Sequence, residues 1–595
     1  MRRLTILAII LAACSQAAEV QVNVDASRVL VLGDQPKVDA NLFGITAFEG
    51  FPAVVADRDY RSMVQALRPG CFRFGGGISW FAPPEYDPEW FDTQAAAIMF
   101  EQTLLFGNKY PFGRFLPVVR EMGAEPMLSL GGPPTYLTQE GTNNPSDFGK
   151  WAQYCARYVG LWKRFDPNFR LVQIWNEPNA SWFRDPRAND RGTSAASLHI
   201  EMANNVARAI KARYPDIQIG GPVLCWPPGW PPSQVGQKPW YTWQGWTLPW
   251  LEGTRDTVDF FDFHVYDVSP GDLQVQTEMT YNQALLTQGR KLPIWITESN
   301  TNLNPEELND PRAIWEKRFL PYQRLLLRGV LPQADKVAGN LYHDLHAKSH
   351  TLLPRGAFDP DPMYWLLWIL RDLRGWRLIA DSADESVVAF ATAEDDRVSV
   401  VLFNDSPEEA IVRLSVRMPT GYATGPHMRA VGMTEAGVPG RIQVDSSFER
   451  TGAQPLGTVT LPRYATACVS FLMQNFVRPS AAVEYAEHFG DATVRFLDTG
   501  DPADFVVRVP DGEVESAWLR VGLLGPQATD RLAATLNGQK LALESVAMQD
   551  ILLEPGQLAA ENPVRINLEA PTDNPRLAVG FVSIITRRTA TVSAG

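Results

Sequence analysis

Val172-Gln173-Ile174-Trp175-Asn176-Glu177-Pro178-Asn179 runs from an apolar, β-prone segment straight into a polar group and a proline. It reads as a buried parallel strand that ends in a loop, with a carboxylate at its C-terminal tip. A second stretch has the same shape: Leu292-Pro293-Ile294-Trp295-Ile296-Thr297-Glu298-Ser299-Asn300. Glu177 and Glu298, 121 residues apart (298 − 177), therefore sit at the ends of two strands. Where strands and helices alternate into a barrel, that face carries the chemistry.

Six more segments share this short apolar form. The eight expected strands are Leu42–Ile45, Cys71–Phe74, Pro126–Leu130, Val172–Trp175, Ile217–Gly220, Phe260–His264, Ile294–Thr297 and Val337–Tyr342. Helical spacing lies between them, as in Leu198–Arg213 with Ile200, Val206 and Ile210 in phase. This repeat predicts an α/β fold, a (β/α)8 TIM barrel, which a buried helix over Pro362–Leu378 closes. From Val387 onward short strands alternate with turns, the pattern of antiparallel sandwiches. The expected domains are an export signal over 1–18, the barrel over 19–379, a β-sandwich over 380–475 and a second over 476–595. The alternating Val20, Val22 and Val24 form an extra strand, assigned to the barrel domain or to a sandwich sheet.

With 595 residues the chain is too long for one core. Its net charge of −13 argues against nucleic acid or an anionic membrane surface as partner. Arg2-Arg3, the apolar run Leu4–Ala13 and Cys14-Ser15-Gln16-Ala17-Ala18 form an export signal of bacterial type, too short to span a bilayer. Leu11-Ala12-Ala13-Cys14 resembles a lipoprotein box, which makes Cys14 a lipidated first residue; cleavage after Ala17 or Ala18 is the rival. The expected location is the periplasm, the outer membrane as a lipoprotein, or the medium, with membrane contact only through Cys14. The other cysteines, Cys71, Cys155, Cys225 and Cys468, show no metal spacing, and their apolar neighbours favour buried free thiols.

Two strand-end glutamates supply what cleavage of a glycosidic bond needs: a proton for the leaving oxygen and a group to meet the oxocarbenium-like carbon. The ordered set Trp175-Asn176-Glu177-Pro178, Ile219-Gly220-Gly221-Pro222, Asp262-Phe263-His264-Val265-Tyr266 and Ile296-Thr297-Glu298 resembles glycoside hydrolase clan A. Within the clan it is most similar to family 39, with families 51 and 79 close behind, over roughly residues 40–345. The resemblance implies a retaining hydrolase of an oligo- or polysaccharide, with Glu177 as acid/base and Glu298 as nucleophile. It further implies that Asn176 binds the hydroxyl beside the reacting carbon and that Arg73 pairs with Glu298. His264 and Tyr266 are implied near the nucleophile. Many clan members carry a Trp at the end of strand eight; here Tyr342 or His343 stands there.

No cofactor is expected, and no metal: His343, His346 and His350 cluster without a paired Cys or HExxH pattern. The loop after strand five is rich in Trp and Pro, with Trp226, Trp230, Trp240, Trp243, Trp246 and Trp250 in one run. On the catalytic face, indole rings of this loop either stack on sugar rings or pack together as a wall. Trp226 and Trp240, with Trp182 after strand four, are the expected sugar-binding rings. Two other readings fit the same fold: a carbohydrate-binding or adhesion protein without catalysis, and a transglycosylase. Sugar identity, endo or exo cleavage and oligomeric state stay open.

Overall fold

The computed structural model describes residues 18–33, 35–47, 54, 57–76, 87–102, 104–105, 108–109, 112–180, 183, 185, 187–190, 194–228, 242–345, 351–353, 360–419, 422–449, 454–475, 479, 481–497, 501–527, 530–554, 556–569 and 577–591. Eight parallel strands close into a barrel in chain order. They are Gly44–Thr46, Cys71–Gly76, Glu125–Leu130, Leu171–Ile174, Gln218–Leu224, Phe260–Tyr266, Ile294–Asn300 and Val337–His343. Strand eight pairs with strand one through Leu341–Gly44, Tyr342–Ile45 and His343–Thr46. The first strand starts two residues later than expected, because Ala40–Phe43 forms a 3-10 turn capped by the Asp39 side chain. Barrel and strand-rich C-terminal part thus have the expected fold class.

The barrel interior is filled in layers, as strand alternation requires. Cys71, Met127, Leu171, Phe260, Trp295 and Leu341 form the apolar layer. A side chain at Gly339 would strike the Trp295 ring at 2.2 Å, so this indole occupies the space that glycine vacates. Two residues further along the strands the layer turns polar: Arg73, Gln173, Asp262 and Thr297 are all buried. The catalytic-face residues stand on this layer.

The closing helix spans Pro362–Leu370, shorter than expected. Gly375, at φ +79, lets the chain turn into a strand, Gly375–Ser382, so the expected barrel boundary at 379 falls inside a sandwich strand. The N-terminal strand Ala18–Leu32 lies centrally in the sandwich sheet: it pairs antiparallel with Gly375–Ser382 and parallel with Ala410–Arg417 and Ala481–Phe489. Through it the sheets of both C-terminal units form one hydrogen-bonded path. Cys71, Cys155, Cys225 and Cys468 are all free thiols.

The loop after strand five only partly matches its expected role. Trp226 is half-buried, whereas Trp230 and Trp240 lie outside the described residues. Trp243, Trp246 and Trp250 are core residues. Trp243 packs with Val275, Met279, Leu524 and Phe581, which joins the barrel to the terminal unit. A Cβ at Gly221 would sit 2.7 Å from Trp250. These three indoles are a wall, because the chain re-enters as a helix, Leu248–Gly253, that needs an apolar face against the barrel.

Candidate active site

Strict alternation along strand seven points Trp295 and Thr297 inward and Glu298 outward. The pairing slips by one residue here: Phe263 faces Ile296, but His264 faces Glu298. This bulge re-aims the carboxylate, so that Thr297 and Glu298 both reach polar groups of the barrel interior. Thr297 Oγ1 donates to Asp262 Oδ1 at 2.6 Å. Glu298 Oε1 accepts from Arg73 Nη1 at 2.5 Å and Oε2 from the Tyr266 hydroxyl at 2.7 Å.

Arg73 holds more than the nucleophile candidate. Its Nε donates to Gln173 Oε1 at 2.6 Å and its Nη2 to Asn176 Oδ1 at 2.6 Å. The rigid guanidinium fork thus sets three acceptors from strands four and seven relative to one another. Asn176 spends its oxygen on Arg73, which leaves its NH2 to donate to a ligand. Gln173 is oriented from below, since its Nε2 donates to Asp262 and to Thr297 Oγ1. Burial pushes the Asp262 carboxyl up to about 7, with the charges of Arg73 and His264 acting against that rise.

Burial would raise Glu298 as well. The nearby His264, His343 and Arg73, with the Tyr266 hydroxyl, outweigh it and hold this carboxyl well below the usual range. Burial and the adjacent Glu298 push the Tyr266 phenol far up, so it remains a donor.

Glu177 is held differently. The backbone at Trp175 (φ 76) and Glu177 (φ 47) is left-handed, which costs on the order of 1–3 kcal/mol per residue where no glycine relieves it. Three bonds pin this turn: Trp175 N–H to Leu130 O at 2.9 Å, Ser129 Oγ to Trp175 O at 3.0 Å, and Glu177 N–H to Val223 O at 2.9 Å. Cys225 N–H donates to Asn179 Oδ1 at 2.8 Å and ties the same turn to strand five. The Glu177 side chain is 17% exposed, against 8% for Glu298, and its Oε1 lies 2.8 Å from His264 Nδ1. Burial, then the Glu177 charge, raises the Cys225 thiol.

A carboxylate oxygen of each glutamate and a ring nitrogen of His264 all lie within 4.8 Å of one another. Three such atoms are a ligand set of the kind that holds a cation. The guanidinium already on Glu298, however, supplies the positive charge that a cation would bring, and would repel it. His346 and His350 lie outside the described residues, as does Trp182.

His343 reaches the site, with Nδ1 3.6 Å from Glu298 Oε2 and its ring edge-on to Tyr266. Tyr342 does not. Expected to face substrate, it is fully buried, and Arg318 Nη2 donates to its hydroxyl at 2.5 Å. Alternation places neighbours on strand eight on opposite sides, so only one of the pair can look into the barrel mouth.

Beside the glutamates opens a cleft of about 620 Å³, lined by Trp175, Asn176 and the loop after strand three, including Thr135, Thr138, Gln139, Glu140 and Asn143. Neither this loop nor the layer of Gln173, Asp262 and Thr297 was singled out from sequence. The alternation of Gln173 and Asp262 within apolar strands was the available signal for the layer; the loop carries none beyond its glycines.

A sequence model of the glycosyl hydrolase catalytic core matches residues 144–320. BuGH86 in complex with neoagarooctaose superposes with a TM-score of 0.73 at 14% identity, over 96% of this chain and 99% of that one. A β-porphyranase of glycoside hydrolase family 86 from Bacteroides plebeius gives 0.66 at 13% identity, over 96% and 100%. The chain has the fold of these glycoside hydrolases. A family 39 enzyme from Xanthomonas axonopodis pv. citri superposes at a TM-score of 0.52 and 15% identity, over 78% of this chain and 99% of that one. The likeness therefore spreads over several families of the clan and does not single out family 39. The β-xylosidase of Geobacillus stearothermophilus is 25% identical over 210 residues, 31% of this chain. That match spans 38% of the curated relative's length.

Proposed function

We propose that this protein is a retaining glycoside hydrolase of clan A that acts on an oligo- or polysaccharide. Glu298 is the nucleophile and Glu177 the acid/base. The observation that carries the reading is the approach of both carboxylates and His264 within 4.8 Å. Retaining enzymes place their carboxyl groups about 5–5.5 Å apart, whereas inverting ones need about 6.5–9.5 Å to admit a water. Glu298, ionised by its cationic neighbours, attacks the anomeric carbon as Glu177 gives its proton to the leaving oxygen. Glu177 then takes a proton from water, and that water displaces Glu298. Asn176 donates to the adjacent sugar hydroxyl, while the hydrogen bonds from Arg73 and Tyr266 to Glu298 weaken as its negative charge passes into the glycosyl ester.

The reading is tested by NMR of the first product, whose anomeric configuration must match the substrate. An inverted first product sinks the assignment of Glu298. Agar-type oligosaccharides are the first substrates to screen, given the neoagarooctaose complex among the similar structures, and β-xylosides the second. Residues 1–18 act in this proposal as an export signal with Cys14 as lipid attachment point. Cys14→Ala then abolishes lipid labelling and frees the protein from the membrane fraction; unlabelled wild type refutes it.

A further inference from the structure

A second concavity, of about 410 Å³, lies where the segment after the closing helix meets the first sandwich unit. It shares no lining residue with the cleft at the glutamates. Its charged lining is Arg371, Arg397 and Arg429 against Asp372 alone, a surplus of two positive charges (3 − 1), with His427 and Ser470 beside them. Asp372 is the shared counter-ion and its oxygens are crowded. Oδ2 takes Arg429 Nη2 and, at 3.3 Å, Arg397 Nη1; Oδ1 takes Arg68 Nη1 at 3.1 Å and has Arg371 Nε at 3.9 Å. Glu394, 2.9 Å from Arg68, offsets that arginine, not the other three.

Among the described residues, no further acidic side chain offsets the surplus. The Nε atoms of Arg371 and Arg429 are, among the described residues, both buried without a hydrogen-bond partner, and Arg429 is 95% buried as a side chain (100 − 5). Buried guanidinium donors ordinarily find acceptors. The π-face of Trp368 takes some of the charge: the guanidinium carbons of Arg371, Arg429 and Arg441 each lie 5.0 Å from its ring centroid. An indole accepts no directed N–H···O bond, so these two donors have no acceptor there, although Arg371 Nη1 donates to Ala66 O at 2.6 Å. Burial, then the charge of Arg429, depresses Arg371 below its ordinary value. His427 is exposed and Arg397 half-buried, so the cavity is open to solvent.

We propose that this cavity binds a tetrahedral oxyanion, sulfate or phosphate, free or as an ester on a glycan. Several fork-shaped donors around one concavity match such an anion better than they match a second carboxylate, which has two oxygens to offer. Calorimetric titration of the full chain with sodium sulfate, at ionic strength held constant with sodium chloride, tests it. Saturable binding with one equivalent and a rise in melting temperature are expected. Arg397→Gln, the most exposed of the three arginines, weakens binding by about tenfold or more. Arg441→Gln, which changes the same net charge on the same indole but lies off the lining, alters it by less than about twofold. A sulfated oligosaccharide and its desulfated form separate the sources. Competition by the sulfated form alone assigns the site to an ester, and binding of the free ion alone assigns it to an inorganic anion. Absence of saturable binding, or equal weakening by Arg397→Gln and Arg441→Gln, overturns the proposal.

Discussion

The two glutamates sit at the ends of similar strands and are held by opposite means. Glu298 is fixed by side chains: Arg73, Tyr266 and the nearby His264 and His343 surround a nearly buried carboxylate and keep it charged. Glu177 is fixed by its backbone: a left-handed turn, pinned by strands three and five, presents a more exposed carboxylate to His264. In the proposed mechanism the nucleophile has to stay ionised and aimed, which the cage of the Arg73 guanidinium and Tyr266 hydroxyl on Glu298 favours. An acid/base has to gain and lose a proton and meet water, which a cage would prevent.

Removal of each carboxylate breaks the comparison most directly. Glu298→Ala is expected to lower turnover by about 10⁴-fold or more on any substrate, with azide restoring it as a glycosyl azide of inverted configuration. Glu177→Ala is expected to spare glycosylation by aryl glycosides with very good leaving groups, and azide then gives a product of retained configuration. Equal losses on good and poor leaving groups would erase the distinction between the two residues.

The cage comes next. Arg73→Met leaves Glu298, Gln173 and Asn176 facing a buried gap, and breaking such a pair costs roughly 3–5 kcal/mol of stability, read by denaturant unfolding. Arg73→Lys keeps the charge but loses the fork, so kcat should fall more than stability does. Tyr266→Phe removes a donor that favours the charged form of Glu298. The acid limb of kcat/KM should therefore move to higher pH, with a rate loss of about 10–100-fold. An unchanged acid limb would place that limb on another group.

The smallest effects are in stability against pH, where the two buried carboxyls of this layer act in opposite senses. Glu298 is depressed in the fold, so its contribution is full above the ordinary carboxylate pKa and is lost as the pH falls through its folded value, below about 4. Asp262, raised to about 7, binds its proton more tightly folded than unfolded, so its contribution declines as the pH rises from about 4 to 7. Asp262→Asn should flatten the unfolding free energy across that upper window and leave the acid side unchanged. A slope that persists in the variant would assign it to another group.

The sequence alone determined the barrel, because eight apolar segments with polar ends specify strands locally and need no tertiary information. It also brought out Glu177 and Glu298 as ionisable residues at the ends of apolar strands, while Arg73, Asn176, His264, Tyr266 and His343 were implied by the resemblance to glycoside hydrolase clan A. Tertiary structure decided everything that depends on a side chain's direction. The slip between His264 and Glu298 turns the glutamate inward against simple alternation, and that register exists only between two strands. Tyr342 and His343 are adjacent in sequence, yet pairing across the barrel seam buries one and exposes the other to the site. Trp243, Trp246 and Trp250 are the right residues for a sugar platform; their packing partners, some over 300 residues away, make them a wall. Composition names the chemistry a residue carries, and packing and strand register decide which surface receives it.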